Sequence, residues 1–157
     1  GLGRGNIKMD QLIESMKVLH ATNFAFYLKM HFFHWNVTGP NFPQYHELFG
    51  KIYDSMDGAV DPLGEWILMM GEFAPFKLSR FVELATLPEP EVSSDPMMMA
   101  ADLKACHDLS AAAFGAASKS AADLGQKGLE NFLADCQAAH QKWSWQLRAS
   151  LTETEAE

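Results

Sequence analysis

The chain has 157 residues, 48% of them hydrophobic and 20% charged, with a formal net charge of −8. That length suits one domain with a real core; no stretch is apolar for long enough to span a membrane, and no signal peptide stands out. The acidic excess opposes general binding to a phosphate backbone and suits cation handling, while Cys106 and Cys136, with neither zinc-like spacing nor a disulfide-rich context, read as reduced core thiols.

The opening "GLGRGN" reads as a flexible lead, a cloning remnant or the start of a fragment. Leu12, Met16, Leu19, Phe26, Met30 and Phe33 then recur at helical spacing, interrupted by Asn23. This helix is expected to stop near Val37, where Gly39 and Pro40 break it and Asn41 is placed to cap the next. A second run follows through Tyr45, Phe49, Ile52, Met56, Ala59, Leu63 and Ile67. Pro62 lies inside it and crowds the carbonyl of Gly58, which predicts a kink or bulge between Gly58 and Gly64. Gly71, Pro75, Pro88 and Pro90 mark a long connection, with "FKLSRFVEL" as a short helix within it. "SSDP" opens the third long helix, with Asp95 as cap and Pro96 in the first turn, and the helix continues through Leu103, His107, Phe114 and Ala117. Gly125 and Gly128 separate it from a last helix through Phe132, Cys136, Ala139, Trp143 and Leu147. No segment alternates like a strand. The pattern is all-α: four long helices with a long crossover, a ferritin-like arrangement.

Chemistry concentrates in "HFFHWNVTGPNFPQYHELFG", which sets His31, His34 and His46 around one Gly-Pro turn. Asp61 and Glu65 stand four apart and so share a helix face. Neither has a basic neighbour nearby in sequence, and two buried unpaired charges would be costly, so they need water or a cation. Imidazole with carboxylate suits Fe(II), Zn(II) or Mn(II); the plainer reading of the acids is a solvated helix face. The chain contains no Glu-x-x-His, the motif that di-iron bundles draw from two of their helices. A site inside one bundle is therefore under-supplied, and ligands from a second subunit become attractive. His20, His107 and His140 fall in helical stripes and read as structural histidines, and the nine methionines as core or interface filler.

"HFFHWNVTGPNFPQYHELFGKIYD" followed by "DPLGEW" resembles the ferroxidase signature of the Dps family, the miniferritins, and "HQKWSWQLRASL" is similar to that family's last-helix run. The resemblance implies a hollow dodecamer of four-helix subunits that oxidises Fe(II), preferably with hydrogen peroxide, and stores ferric mineral inside. It also implies metal sites at two-fold interfaces, His34 and His46 coming from one subunit and Asp61 and Glu65 from its partner. Trp35 matches the family's Trp beside the site, where an indole is suited to intercept oxidising equivalents or simply to fill the interface. Asp123, Glu130 and Asp135 are candidates for the wall of an iron-entry pore. The domain so defined covers residues 9–151, between a lead at 1–8 and an acidic tail at 152–157.

The chain also departs from the family pattern. Gly50 stands where an acidic residue is usual, Trp66 replaces an Arg, and Pro62 sits beside Asp61. Loss of one carboxylate implies one firm iron position and a second that is weak or otherwise filled, with His31 as one candidate ligand. Two readings follow: a cytoplasmic ferroxidase and iron store protecting against oxidative stress, with zinc or manganese as possible occupants, or a structural cage whose metal site has decayed. A monomeric bundle binding a small ligand is a third. Direct DNA binding is not expected, because the lead offers only Arg4 and Lys8 and the tail "TETEAE" is acidic.

Overall fold

The structure is a computed structural model that describes the backbone of residues 4–151 and the side chains from Ile7. Five helices appear in order: α1 (Arg4–Asn36), α2 (Phe42–Met69), α3 (Leu78–Leu84), α4 (Pro96–Asp123) and α5 (Lys127–Leu151). No strand occurs among the described residues, as the pattern predicts. The lead falls partly within α1, which is already helical from Arg4; residues 1–3 and the acidic tail lie outside the described residues.

Short turns fold α1 onto α2 and α4 onto α5 as antiparallel pairs. Gly39 (φ 117°) and Gly125 (φ 70°) supply the left-handed backbone that each turn needs. Thr38 N–H donates to the Ser94 carbonyl at 3.0 Å, so α4 begins beside the α1–α2 turn. The end of α2 lies about 42 Å away, the rise of its 28 residues. The crossover must therefore travel the length of the bundle, carrying α3 against α1.

The helix ends follow their residues with two exceptions. Asp95 caps α4 as expected, its carboxylate accepting the Met97 N–H at 2.9 Å with Pro96 in the first turn. Asn41 occupies the cap position of α2, but its side chain makes no capping bond; its backbone (φ −103°, ψ 22°) is not the extended form that aims a cap. Gly128 does not separate helices: it lies inside α5, where a Cβ would come within 3.1 Å of the Trp66 ring. Its small size lets α5 close over that indole. α2 continues unbroken through Pro62, without the interruption a bulge would bring.

Two apolar clusters fill the interior. One, near the α1–α2 turn, includes Phe26, Met30, Phe49, Ile52, Leu103 and Cys106. The other, at the far end, includes Leu12, Met16, Leu63, Ile67, Phe114 and Leu133. Between them runs a polar layer of buried His20, Asn23, His107, Ser110 and His140. His107 and His140 join through their Nδ1 atoms at 2.8 Å, so one ring donates and the other accepts. Burial pushes both imidazoles down in basicity, His140 to about 4, with His140 adding to the effect on His107.

Candidate metal centre

His34 lies in the last turn of α1 and His46 in the second turn of α2, so the intervening turn places them face to face. Their rings stack at 3.7 Å between centroids and 13° between planes. Each ring also bonds the other's backbone: His34 Nδ1 to the His46 carbonyl at 2.6 Å, and His46 Nδ1 to the His34 carbonyl at 2.7 Å. A carbonyl only accepts, so both Nδ1 atoms carry the proton. In a neutral ring the lone pair is then on Nε2. Orientation of an imidazole through Nδ1–H to a carbonyl, with Nε2 free, is how metal-ligating histidines are commonly held.

Gly50 stands one turn beyond His46. A Cβ on it would lie 3.1 Å from His34 Cε1 and 3.3 Å from Nδ1. A side chain at this position would press on the His34 ring, which would have to shift by a few tenths of an ångström.

Neighbouring residues form an aromatic wall. His31 stacks on Tyr53 at 3.9 Å and meets Tyr27 edge-on at 4.6 Å. Burial and nearby His34 lower its basicity, against the opposing pull of Asp54 and Asp57. It is a packed histidine within this wall. Trp35 is 62% exposed and, with exposed Phe32 and Phe42, forms an apolar rim beside the pair. Sequence reasoning missed Tyr53, although its place seven residues after His46 puts it two helical turns along the same face.

Asp61 and Glu65 share an exposed face of α2, as their spacing predicts. Neither makes a hydrogen bond or ion pair among the described residues. Asp61 lies fifteen residues beyond His46, about 22 Å along the helix at 1.5 Å per residue. Histidines and acids therefore cannot meet within one protomer, and no group of three potential ligands occurs among the described residues. Of the other acids, Asp123 ends α4, Glu130 pairs with Lys127 at 3.8 Å and Asp135 lies on α5 beside half-buried Cys136.

The long-helix bundle with its lengthwise crossover and its histidines on the first helix pair defines a ferritin-like protein, and the profile of the ferritin-like domain matches residues 13–156. Within that class the chain belongs to the Dps family. It is 32% identical to the DNA protection during starvation protein of Brevibacillus brevis over 134 residues, 78% of this chain and 90% of that one. It is 28% identical to antigen TpF1 of Treponema pallidum over 126 residues, 80% of this chain and 71% of that one. Among solved structures, Dps from Thermosynechococcus elongatus superposes with a TM-score of 0.93 at 22% identity, covering 98% of both chains. A Dps protein from Bacillus brevis gives 0.88 at 26% identity, covering 92% of this chain and 97% of that one. No helix among the described residues is long and apolar enough to cross a membrane.

Proposed function

We propose that this protein is an iron-oxidising and iron-storing miniferritin whose metal sites form between two-fold-related subunits. The observation that carries the reading is the reciprocal His34–His46 arrangement, which fixes both tautomers and leaves two Nε2 lone pairs unengaged. The oxygen ligands to complete a site, Asp61 and Glu65, are too distant on the same helix and must come from a second copy. A two-fold axis suits this geometry, since each subunit then gives histidines to one site and acids to the other. Apolar residues exposed around the pair (Phe32, Trp35, Phe42) and along the crossover (Phe73, Phe76, Leu78, Val82) supply surface for subunit contact. Relatives named for DNA protection during starvation support a stress role, and a related Vibrio cholerae Dps structure is described as belonging to the ferritin-like diiron-carboxylate proteins.

Fe(II) is the substrate. Imidazole and carboxylate hold it with open positions, and hydrogen peroxide takes two electrons from two Fe(II), releasing two waters after uptake of two protons. The chain's own part is to orient the imidazoles, concentrate negative charge and, through Trp35 at the rim, offer an oxidisable ring close by. With glycine at position 50 each site keeps one firm iron position and one weak one. The oxidised iron collects inside a hollow dodecamer in the cytoplasm. A charge of −8 opposes direct coating of DNA.

A second reading, a structural cage without oxidation, draws on Gly50 and on Pro62 beside Asp61. Complementation separates the two. His34→Ala with His46→Ala in one chain and Asp61→Asn with Glu65→Gln in another each remove every intact site from their own assemblies. In random co-assembly, half the subunit pairs are mixed and each regains one site of two, so about one quarter of wild-type Fe(II) oxidation returns. No recovery in verified mixed shells, beside active wild-type protein, would refute the shared site; an inactive wild-type shell would establish the structural cage.

A further inference from the structure

A second cluster of reactive side chains lies inside the bundle, where α1 meets α4. Lys29 is 2% exposed, and its Nζ donates to Asp102 Oδ1 at 2.7 Å and to the Pro88 carbonyl at 3.3 Å. Cys106 is also 2% exposed, with Sγ 3.3 Å from the same Nζ and 3.6 Å from the same carboxylate oxygen. Packing alone does not call for such a triad. A buried ammonium carries a large desolvation cost that an aliphatic side chain of similar length would avoid. The carboxylate partly offsets that cost, but nothing in ion pairing requires a thiol at the third corner.

A primary amine held against a thiol is the arrangement from which an oxidant makes a covalent bond. We propose that Lys29 and Cys106 form a peroxide-driven, reversible sulfenamide staple between α1 and α4. In the first step Sγ attacks one oxygen of hydrogen peroxide: the O–O bond breaks, water leaves, and the sulfur is oxidised by two electrons to a sulfenic acid. In the second, Nζ attacks that sulfur, forming an N–S bond as the S–O bond breaks and a second water departs. Asp102 Oδ1, already bonded to Nζ, takes the ammonium proton and passes it to the departing hydroxide. The balance is one thiol, one ammonium and one peroxide giving one N–S bond, two waters and one released proton. A thiol reductant reverses it by attack on sulfur.

The surroundings of the triad set its selectivity. A groove of ≈ 580 Å³ between α1, α3 and residues 85–90 is lined by Lys29 together with Phe24, Phe32, Phe81, Pro88 and Glu89. The Lys29 side chain forms part of the groove wall, whereas Cys106 does not line it. Burial pushes the Cys106 thiol up, with Lys29 pulling against it, so little thiolate is present and the first step answers to sustained peroxide rather than a trace. Cys136 provides an internal contrast. Burial, reinforced by Asp135, pushes its thiol up to about 12, with no lysine opposing the shift.

The staple does not depend on the iron site, so its test uses assembled, iron-free, full-length protein. The protein is incubated with excess hydrogen peroxide, alkylated, digested without reductant and analysed by mass spectrometry. A peptide pair joining Lys29 to Cys106 is expected, lighter than its two members by two hydrogens and released by dithiothreitol. It should be absent from the near-isosteric Cys106→Ser and from Lys29→Arg, and present in Cys136→Ser. A Cys106 that remains a thiol, or that proceeds to sulfinic acid beside an unmodified Lys29, overturns the proposal in the wild-type protein itself, whether or not the variants fold. A linked pair heavier by one oxygen would overturn the direct N–S bond.

Discussion

Gly50 lies against the imidazole of His34, where a Cβ would stand 3.1 Å from Cε1 and 3.3 Å from Nδ1. The ring cannot retreat freely, because its Nδ1 is bonded to the His46 carbonyl and its face is covered by the His46 ring. The glycine is thus coupled to the orientation of the proposed ligand. Gly50→Ala should raise the helix propensity of α2 by about 1 kcal/mol while pushing the imidazole off its position. The expected outcome is a melting temperature little changed and anaerobic Fe(II) affinity reduced at least several-fold. Affinity unchanged in a stable variant would show that the ring position does not set metal binding.

The paired His107 and His140 make stability depend on acidity. Burial holds His140 down to about 4, and His107 is lowered in the same direction. In the unfolded chain both return to about 6.5. Between those limits the unfolded state binds more protons, so stability is full above about pH 6.5 and is lost as the pH falls toward 4. Each unit of displacement corresponds to about 1.4 kcal/mol, so the melting temperature should fall by several degrees over that window. Calorimetry on the iron-free protein checks this. His107→Leu with His140→Leu should flatten the profile, whereas His140→Leu alone leaves His107 without its partner and should destabilise by about 1–3 kcal/mol.

How much of this was legible in the sequence depends on the length scale of each cause. Helical periodicity located the four long helices, because burial of one face repeats every few residues. Asp95 was readable as a cap, since Asp-Pro before an apolar run is a local signal. Asn41 carried the same kind of signal, yet the turn before it sets a backbone angle that no local pattern reveals. Gly128 looked like punctuation because its reason, the Trp66 ring, is sixty-two residues away in sequence. His34 and His46 stood out by type, but their mutual hold on each other's carbonyls depends on the fold of the turn. Lys29, Asp102 and Cys106 gave no sequence signal at all: three ordinary residues become a cluster only when α4 docks on α1.

That same docking sets an order of costs for the buried ion pair. Lys29 Nζ is buried and Asp102 is about one-third exposed, so the lysine depends on the carboxylate more than the reverse. Asp102→Ala strands the ammonium among Phe33, Cys106 and the Pro88 carbonyl and should cost about 2–4 kcal/mol, slightly below the range for a fully buried pair. Lys29→Met removes the charge together with its desolvation cost and should cost less than Asp102→Ala. Urea titrations of both variants decide the order. The reverse ranking would mean that the ammonium, and not its neutralisation, stabilises this contact.

Asp61 and Glu65 offer the cleanest separation of ligand from scaffold. Within one protomer they are exposed, unbonded among the described residues, and one helical turn apart. Like charges at that spacing repel by about 0.2–0.5 kcal/mol, so Asp61→Asn with Glu65→Gln should leave the subunit fold as stable as before or slightly more so. His34→Ala breaks a ring stack and the bond to the His46 carbonyl, and so should lower both stability and metal binding. If the acids serve as ligands across the interface, their double variant should lose at least tenfold in Fe(II) oxidation with no loss of melting temperature. Equal oxidation in the acid variant would remove the carboxylates from the site. A large drop in its melting temperature without metal would instead make them structural, and the contrast with His34→Ala shows which of these two roles the carboxylates fill.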